Sequence, residues 1–211
     1  MLRAEDVPLA LQTCRNAGYG AEFVFTRWLA KIWSADSFID VIFRAGNGLG
    51  EVDDLWFNKA PAAEIFGISV KVSPFEELIW QKAYVMERER FDGADIVHLL
   101  ASCAPQIDWI RLLERFGPDW RVLMSHLILF GFVFPSKRNL VPPEVVKKMS
   151  ASLMREVSER PAAQPLCNGT LLSRIQYLSD ITTGGFIDAR TTGRSMIKPL
   201  EIQKWTKASL K

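Results

Sequence analysis

The tetrapeptide Ser73-Pro74-Phe75-Glu76 divides the chain into two kinds of sequence. Ser at a helix cap, Pro at the first helical position and Glu at the third together predict a helix start. The hydroxyl would take up an orphaned backbone N–H, and the Glu would reach back to the cap. Before this point the chain is short-period and rich in turns. After it the sequence reads as helix as far as Pro161.

In the first part, Asp6 and Pro8 open a helix that runs to Ala17 and stops at Gly18. Ala21–Thr26 alternates weakly, as a strand would. Arg27–Trp33 fits either a strand or a helix. Ser37–Arg44 is the clearest strand, with Phe38, Asp40 and Ile42 on one face and Ile39, Val41 and Phe43 on the other. Gly46-Asn47-Gly48 reads as a turn. Asp53 or Asp54 would cap a short helix through Lys59, and Ala63–Val72 holds two strand-like pieces about Gly67.

In the second part, Asp92 and Asp95 repeat a cap pattern before Ile96–Cys103. Asp108 caps Trp109–Phe116, which ends at Gly117-Pro118, and Asp119–Val133 follows. Pro142-Pro143-Glu144 opens a further helix. Beyond Pro161 the sequence turns polar and is punctuated by Gly and Pro, apart from Leu171–Leu178. The expectation is an α+β protein: a small mixed β-sheet part (1–72), a helical part (73–160), and a tail (161–211) that packs on the body or is partly disordered.

Composition narrows the function classes. The net charge of +2 creates no basic field that would single out nucleic acid, which leaves that partner open. Cys14, Cys103 and Cys167 are far apart, without zinc-ligand spacing, and fit a reducing compartment. The start MLRAEDVPLA lacks the apolar core of a signal peptide. The longest apolar run, Leu127–Pro135, is too short to span a bilayer. A soluble cytoplasmic protein without membrane contact is expected. Gly46–Gly50 is neither a P-loop nor a dinucleotide fingerprint. His98 and His126 fall in separate helical segments and default to surface or core roles. No G-x-S-x-G or Cys/His arrangement points to a hydrolase.

Three features carry possible chemistry. Asp40 interrupts an apolar strand, where a carboxylate is disfavoured and costly to bury without a partner. It either presents to a cleft or metal, or faces water paired with Arg27 or Lys31. Lys82 rises from a stripe of Leu78 and Val85, with Ile79, Ala83 and Met86 beside it. It can serve as a point charge for phosphate or as a snorkelling surface lysine. In MERERFDGAD, residues Glu87 to Arg90 read as a solvated helix end, and Asp92 and Asp95 as structural caps that anchor a turn.

FIDVIF, the Gly-rich turn and SPFEELIWQKAYVMERERFDGADIVHLL together resemble bacterial nucleotidyltransferase-like proteins of the polymerase-β superfamily. The resemblance extends through FGPDWRVLMSHLILFGFVFP to LLSRIQYLSDITTGGFIDAR. It implies a catalytic and metal-binding role for Asp40, as the third carboxylate of a set that holds two Mg²⁺ ions. It implies that Lys82 contacts the nucleotide phosphates, with Asp92 and Asp95 supporting the site. Two metals about 3.5–4 Å apart would neutralise the charge that builds during transfer. The family's D-x-D strand has no counterpart before Asp40, and Met1–Asp6 resembles the residues that follow it. The expectation is a chain that starts too far downstream or is naturally short. Two readings follow. One is Mg²⁺-dependent transfer from an NTP to an unknown acceptor. The other is an inactive nucleotide-binding or protein-interaction module, whose open sheet edge would invite a homodimer or another protein partner.

Overall fold

The computed structural model describes residues 1–198 and 200–202. The protein is α+β and divides into two compact units. The first comprises Met1–Ser73 with Arg190–Ile202, and the second Pro74–Ala189. No helix among the described residues is long and apolar enough to cross a membrane.

The first unit begins with α1 (Val7–Asn16), with Pro8 in its first turn and Gly18 just past its end at φ +88°. There the missing Cβ permits the left-handed exit. Strands β1 (Gly20–Phe25), β2 (Leu29–Ser34) and β3 (Ser37–Ile42) form an antiparallel meander in the order β1-β2-β3. In the ambiguous segment Arg27–Trp33, residues Leu29–Trp33 are strand, and Arg27 and Trp28 belong to the turn before it. Val7 and Leu11 of α1 pack on Ala21, Ala30, Val41 and Phe43, which form this unit's apolar core. A short α2 (Leu55–Asn58) follows, with the Asp53 carboxylate accepting from Leu55 N at 3.0 Å. The hairpin β4 (Ala62–Ile65) and β5 (Ile68–Lys71) turns through Phe66 and Gly67, both at positive φ. Such a two-residue turn matches the twist of the strands it joins.

Residues 190–202 close on the Gly46–Gly48 turn. Met196 N donates to Gly48 O at 2.8 Å, and Ser195 Oγ to Asn47 O at 3.0 Å. Arg27 pairs with Glu201. Gly48 has φ +73°, and a Cβ there would fall 2.4 Å from Ser195 Oγ, so the turn and the returning chain both require glycine.

The second unit is helical: α3 (Phe75–Ala83), α4 (Gly93–Cys103), α5 (Trp109–Phe116), α6 (Trp120–Val133) and α7 (Pro143–Ser158). Ile79, Ile96, Leu100, Leu112, Leu123 and Phe130 are among its fully buried residues. As expected, Asp108 caps α5, its carboxylate accepting from Arg111 N at 3.1 Å.

The capping box at Ser73 does not form. Pro74 occupies the cap position, which has no side-chain capping bond. Glu76 is buried instead, accepting from Asp108 N at 2.5 Å and pairing with Arg111. Its neighbour Glu77, fully buried, accepts two bonds from Arg111 Nη1 at 2.6 and 2.8 Å and one from Arg115 Nε at 3.2 Å. A pair of partly buried arginines outcompetes a single backbone N–H for these carboxylates, because charge-assisted bonds are the stronger ones.

Two more expectations change. The helix does not continue into Glu87–Arg90: α3 ends at Ala83, and Met86 and Phe91 form an antiparallel bridge. The segment expected as a tail returns to the helical part between Leu166 and Ala189, and its last residues, 203–211, lie outside the described residues. Strands β6 (Leu166–Cys167) and β7 (Ile187–Asp188) pair in parallel around α8 (Leu178–Thr182). Thr170, Leu171, Ser173 and Leu178 are buried. Glu87, read as solvated, draws this segment in. It accepts from Ser173 Oγ at 2.6 Å, Arg174 N at 3.0 Å and Arg174 Nε at 2.9 Å.

Glu77→Ala strands two arginines in a buried site, so it should cost about 3–5 kcal/mol. Ser73→Ala should leave stability within about 0.5 kcal/mol, as at a surface site without a special contact. Urea denaturation of the two variants separates these outcomes.

Candidate functional site: a lysine between two carboxylates

Lys82 lies on the last turn of α3, one helical turn after Leu78. Asp95, His98, Leu99 and Ser102 recur along α4 at intervals of three and four, on one face. These six residues line a groove of about 360 Å³ between the two helices. Apolar Leu78 and Leu99 form part of its wall, and the Lys82 ammonium stands in it as a cation.

The ammonium is held by two carboxylates. Lys82 Nζ donates to Asp95 Oδ2 at 2.6 Å and to Asp92 Oδ2 at 3.2 Å. The two acids differ in setting: the Asp92 side chain is 9% exposed and the Asp95 side chain 56%. Asp92 also accepts two bonds from Arg90, at 2.9 and 3.1 Å, whereas Asp95 has Lys82 as its described ion-pair partner. Asp92 is the residue before α4, as a cap would be, but its side chain makes no capping bond. Its oxygens go to Lys82 and Arg90.

Burial opposes the charge on Lys82, but the bonds to Asp95 and Asp92 outweigh it and hold the ammonium above the ordinary lysine range. For Asp92, burial works against ionisation. The bonds from Arg90 and Lys82 overcome it and hold the carboxyl below its usual range. Glu87 is likewise held low: its burial is overridden by Ser173 and Arg174.

Asp40 is in the first unit, on the outer face of the meander. The register aligns Glu22, Lys31 and Asp40 directly across β1, β2 and β3. Lys31 Nζ is 3.5 Å from Asp40 Oδ1 and sits over the Phe38 ring at 3.7 Å. The carboxylate that looked isolated in its strand is thus the end of a cross-strand charge ladder. The structure brings Lys82, Asp92 and Asp95 together, and places Asp40 in the other unit with Lys31. Among the described residues no group of three His, Cys, Asp or Glu side chains could hold a metal ion.

The two histidines divide as surface and core. His98 is exposed in the groove; His126 is buried, its Nε2 3.0 Å from Ala83 O. With a carbonyl as partner, Nε2 is the donor. Burial holds His126 below the ordinary histidine range. Sequence reasoning passed over Glu77, Arg111 and Arg115, which orient α3 and hence Lys82. The i, i+4 spacing of the two arginines on α5 was the available signal.

No protein-family profile, curated protein or solved structure matches the chain.

These shifts set an acid limb for stability. A depressed carboxyl pKa in the folded state means that the unfolded chain binds more protons as pH falls, so folding weakens on acidification. His126 has the same sign, because its neutral form is favoured when folded. Stability should therefore decline first below about pH 6.5, where an unfolded histidine titrates, and more steeply below about pH 4.5, where unfolded carboxylates do. The Lys82 contribution is retained throughout this range and lost only at alkaline pH. Urea midpoints from pH 8 to pH 3 test this. Asp92→Asn should flatten the lower part of the limb; an unchanged limb would remove Asp92 from it.

Proposed function

We propose that the chain is a nucleotide-binding protein of the nucleotidyltransferase type, with the α3–α4 groove seating the phosphates of an NTP against Lys82. The observation that carries this reading is the asymmetry of the acid pair. Asp92, buried and held by Arg90 as well, is a fixed counterion. Asp95, more than half exposed and held by one ion pair, is exchangeable. A phosphate oxygen can replace the Asp95 carboxylate on Lys82 without uncovering a buried charge. Lys82 offers a compact cation for this exchange, and its raised pKa keeps it protonated at neutral pH. Mg²⁺ would enter with the triphosphate, held by phosphate oxygens more than by a dedicated protein cage.

The Asp40–Lys31 pair favours binding over transfer. Two-metal transfer asks for carboxylates that converge on the ions. In the ladder, the Asp40 oxygen is directed at a cation of its own sheet.

Calorimetric titration with Mg²⁺-ATP and Mg²⁺-GTP tests the proposal. Lys82→Ala should weaken binding by roughly ten- to a hundred-fold, the usual worth of a charge-assisted bond. Asp95→Asn should tighten it several-fold by removing the competing anion. Equal affinity in wild type and Lys82→Ala would overturn the site. Mg²⁺-dependent pyrophosphate release would restore the transfer reading.

A further inference from the structure

A second cavity, of about 340 Å³, lies in the segment that sequence reasoning treated as a tail. Leu166, Cys167, Asn168, Tyr177, Asp180 and Phe186 line it. All belong to the second unit, and none lines the Lys82 groove.

Its walls are set by glycines at positions that a side chain would spoil. The Tyr177 ring lies against Gly169, where a Cβ would come within 2.2 Å of the ring. After α8 the chain folds back on itself: Gly184 N donates to Ser179 O at 3.0 Å and Phe186 N to Asp180 O at 3.1 Å. A Cβ on Gly184 would meet Asp180 O at 2.8 Å, and Gly185 has φ +75°. This reversal brings Phe186 beside Asp180. Leu166 and Cys167 of the lining are held by the parallel pairing of β6 with β7, and next to it Thr170 Oγ1 donates to Asp188 Oδ1 at 2.8 Å.

The chemistry of the lining is specific. Two aromatic rings offer flat apolar surfaces. Phe186 is 43% exposed, which leaves surface to be covered. The Asp180 carboxylate and the Tyr177 hydroxyl have no described hydrogen-bond or ion-pair partner, unlike Asp92, Asp95 and Glu87 of the same unit. A planar ligand that stacks on an aromatic ring and presents adjacent N–H donors would satisfy both properties. A carboxylate accepts two parallel bonds, and guanine carries a ring N–H beside its exocyclic amino group on one edge. Adenine pairs its amino group with an acceptor on that edge, which a carboxylate repels.

We infer that this cavity is a purine-base site selective for guanine, with Asp180 reading the N–H edge and Tyr177 and Phe186 flanking the ring. The inference is independent of the Lys82 groove, because it concerns a base and not a phosphate.

The probe is guanosine, which carries no phosphate, followed by ligand-observed NMR titration of the intact chain, with adenosine and free arginine as comparators. Guanosine should saturate one site, with adenosine at least ten-fold weaker. Phe186→Ala should weaken guanosine by stacking loss. Asp180→Asn should weaken guanosine roughly ten- to a hundred-fold, the cost of losing charge-assisted bonds. It should also narrow or reverse the preference over adenosine, since an amide matches adenine's donor–acceptor edge. A merely structural Asp180 would not move that ratio. Lys82→Ala should leave guanosine binding unchanged, so failure of the phosphate site and failure of this one are told apart. No saturable guanosine binding, an unchanged ratio in Asp180→Asn, or tighter binding of arginine would each overturn the assignment.

Discussion

The second unit depends on a charge cluster that its core cannot dispense with. Glu76 and Glu77 of α3 face Arg111 and Arg115 of α5, with the acids almost wholly buried and the side chains of the arginines 12% and 13% exposed. Desolvating such groups is expensive, and the attraction between them repays it only where the geometry is good and the remaining donors are satisfied. Here Arg111 spreads its two terminal nitrogens over both acids and Glu77 takes Arg115 as well, while the buried Arg111 Nε has no hydrogen-bond partner among the described residues. A misplaced α3 would leave buried charge without a partner, which makes the cluster a register device as well as a tether. Its consequence for the groove is geometric. Lys82 lies five residues beyond Glu77, about 140° around the helix. Holding the acids toward α5 therefore turns Lys82 and Leu78 toward α4.

Local rules read the elements well where no tertiary partner competed. Gly18 and Gly117 end their helices, Asp108 caps its own, and Phe66-Gly67 turns a hairpin between two short strands. The same rules failed at Ser73-Pro74-Phe75-Glu76, because Glu76 has a better partner thirty-five residues away than the backbone N–H three residues back. They failed at Glu87 for a like reason: its partners, Ser173 and Arg174, lie far along the chain. Asp40 shows the limit for strands. Alternation gives the face a side chain takes but not the register of the neighbouring strand, so Lys31 was legible only as one of two possible partners for Asp40, and the row that adds Glu22 needed the pairing itself. Lys82 was legible as a cation on an apolar stripe, and Asp92 and Asp95 as acids at a helix start. That all three meet required α3 to stop at Ala83 and the chain to reverse at Met86–Phe91, and the sequence announced only a turn near Asp92, not this early end of the helix.

That reversal connects the two candidate sites within the second unit. Met86 N donates to Leu172 O at 3.2 Å, and Gln176 Nε2 to Met86 O at 3.0 Å, immediately before Tyr177. Glu87 clamps Ser173 and Arg174, and five residues later Asp92 clamps Lys82. The short segment from Met86 to Asp92 therefore holds the Lys82 ammonium on one side and the strand–turn that carries Tyr177 on the other. Both holds are ionic, and in both the folded state keeps the acid below its ordinary pKa. Protonating either carboxyl removes acceptor charge from its own clamp. The clamps are separate bonds on one short segment: Asp92 fixes the lysine of α3, and Glu87 fixes the chain that leads into Tyr177, so each acid positions its own neighbour.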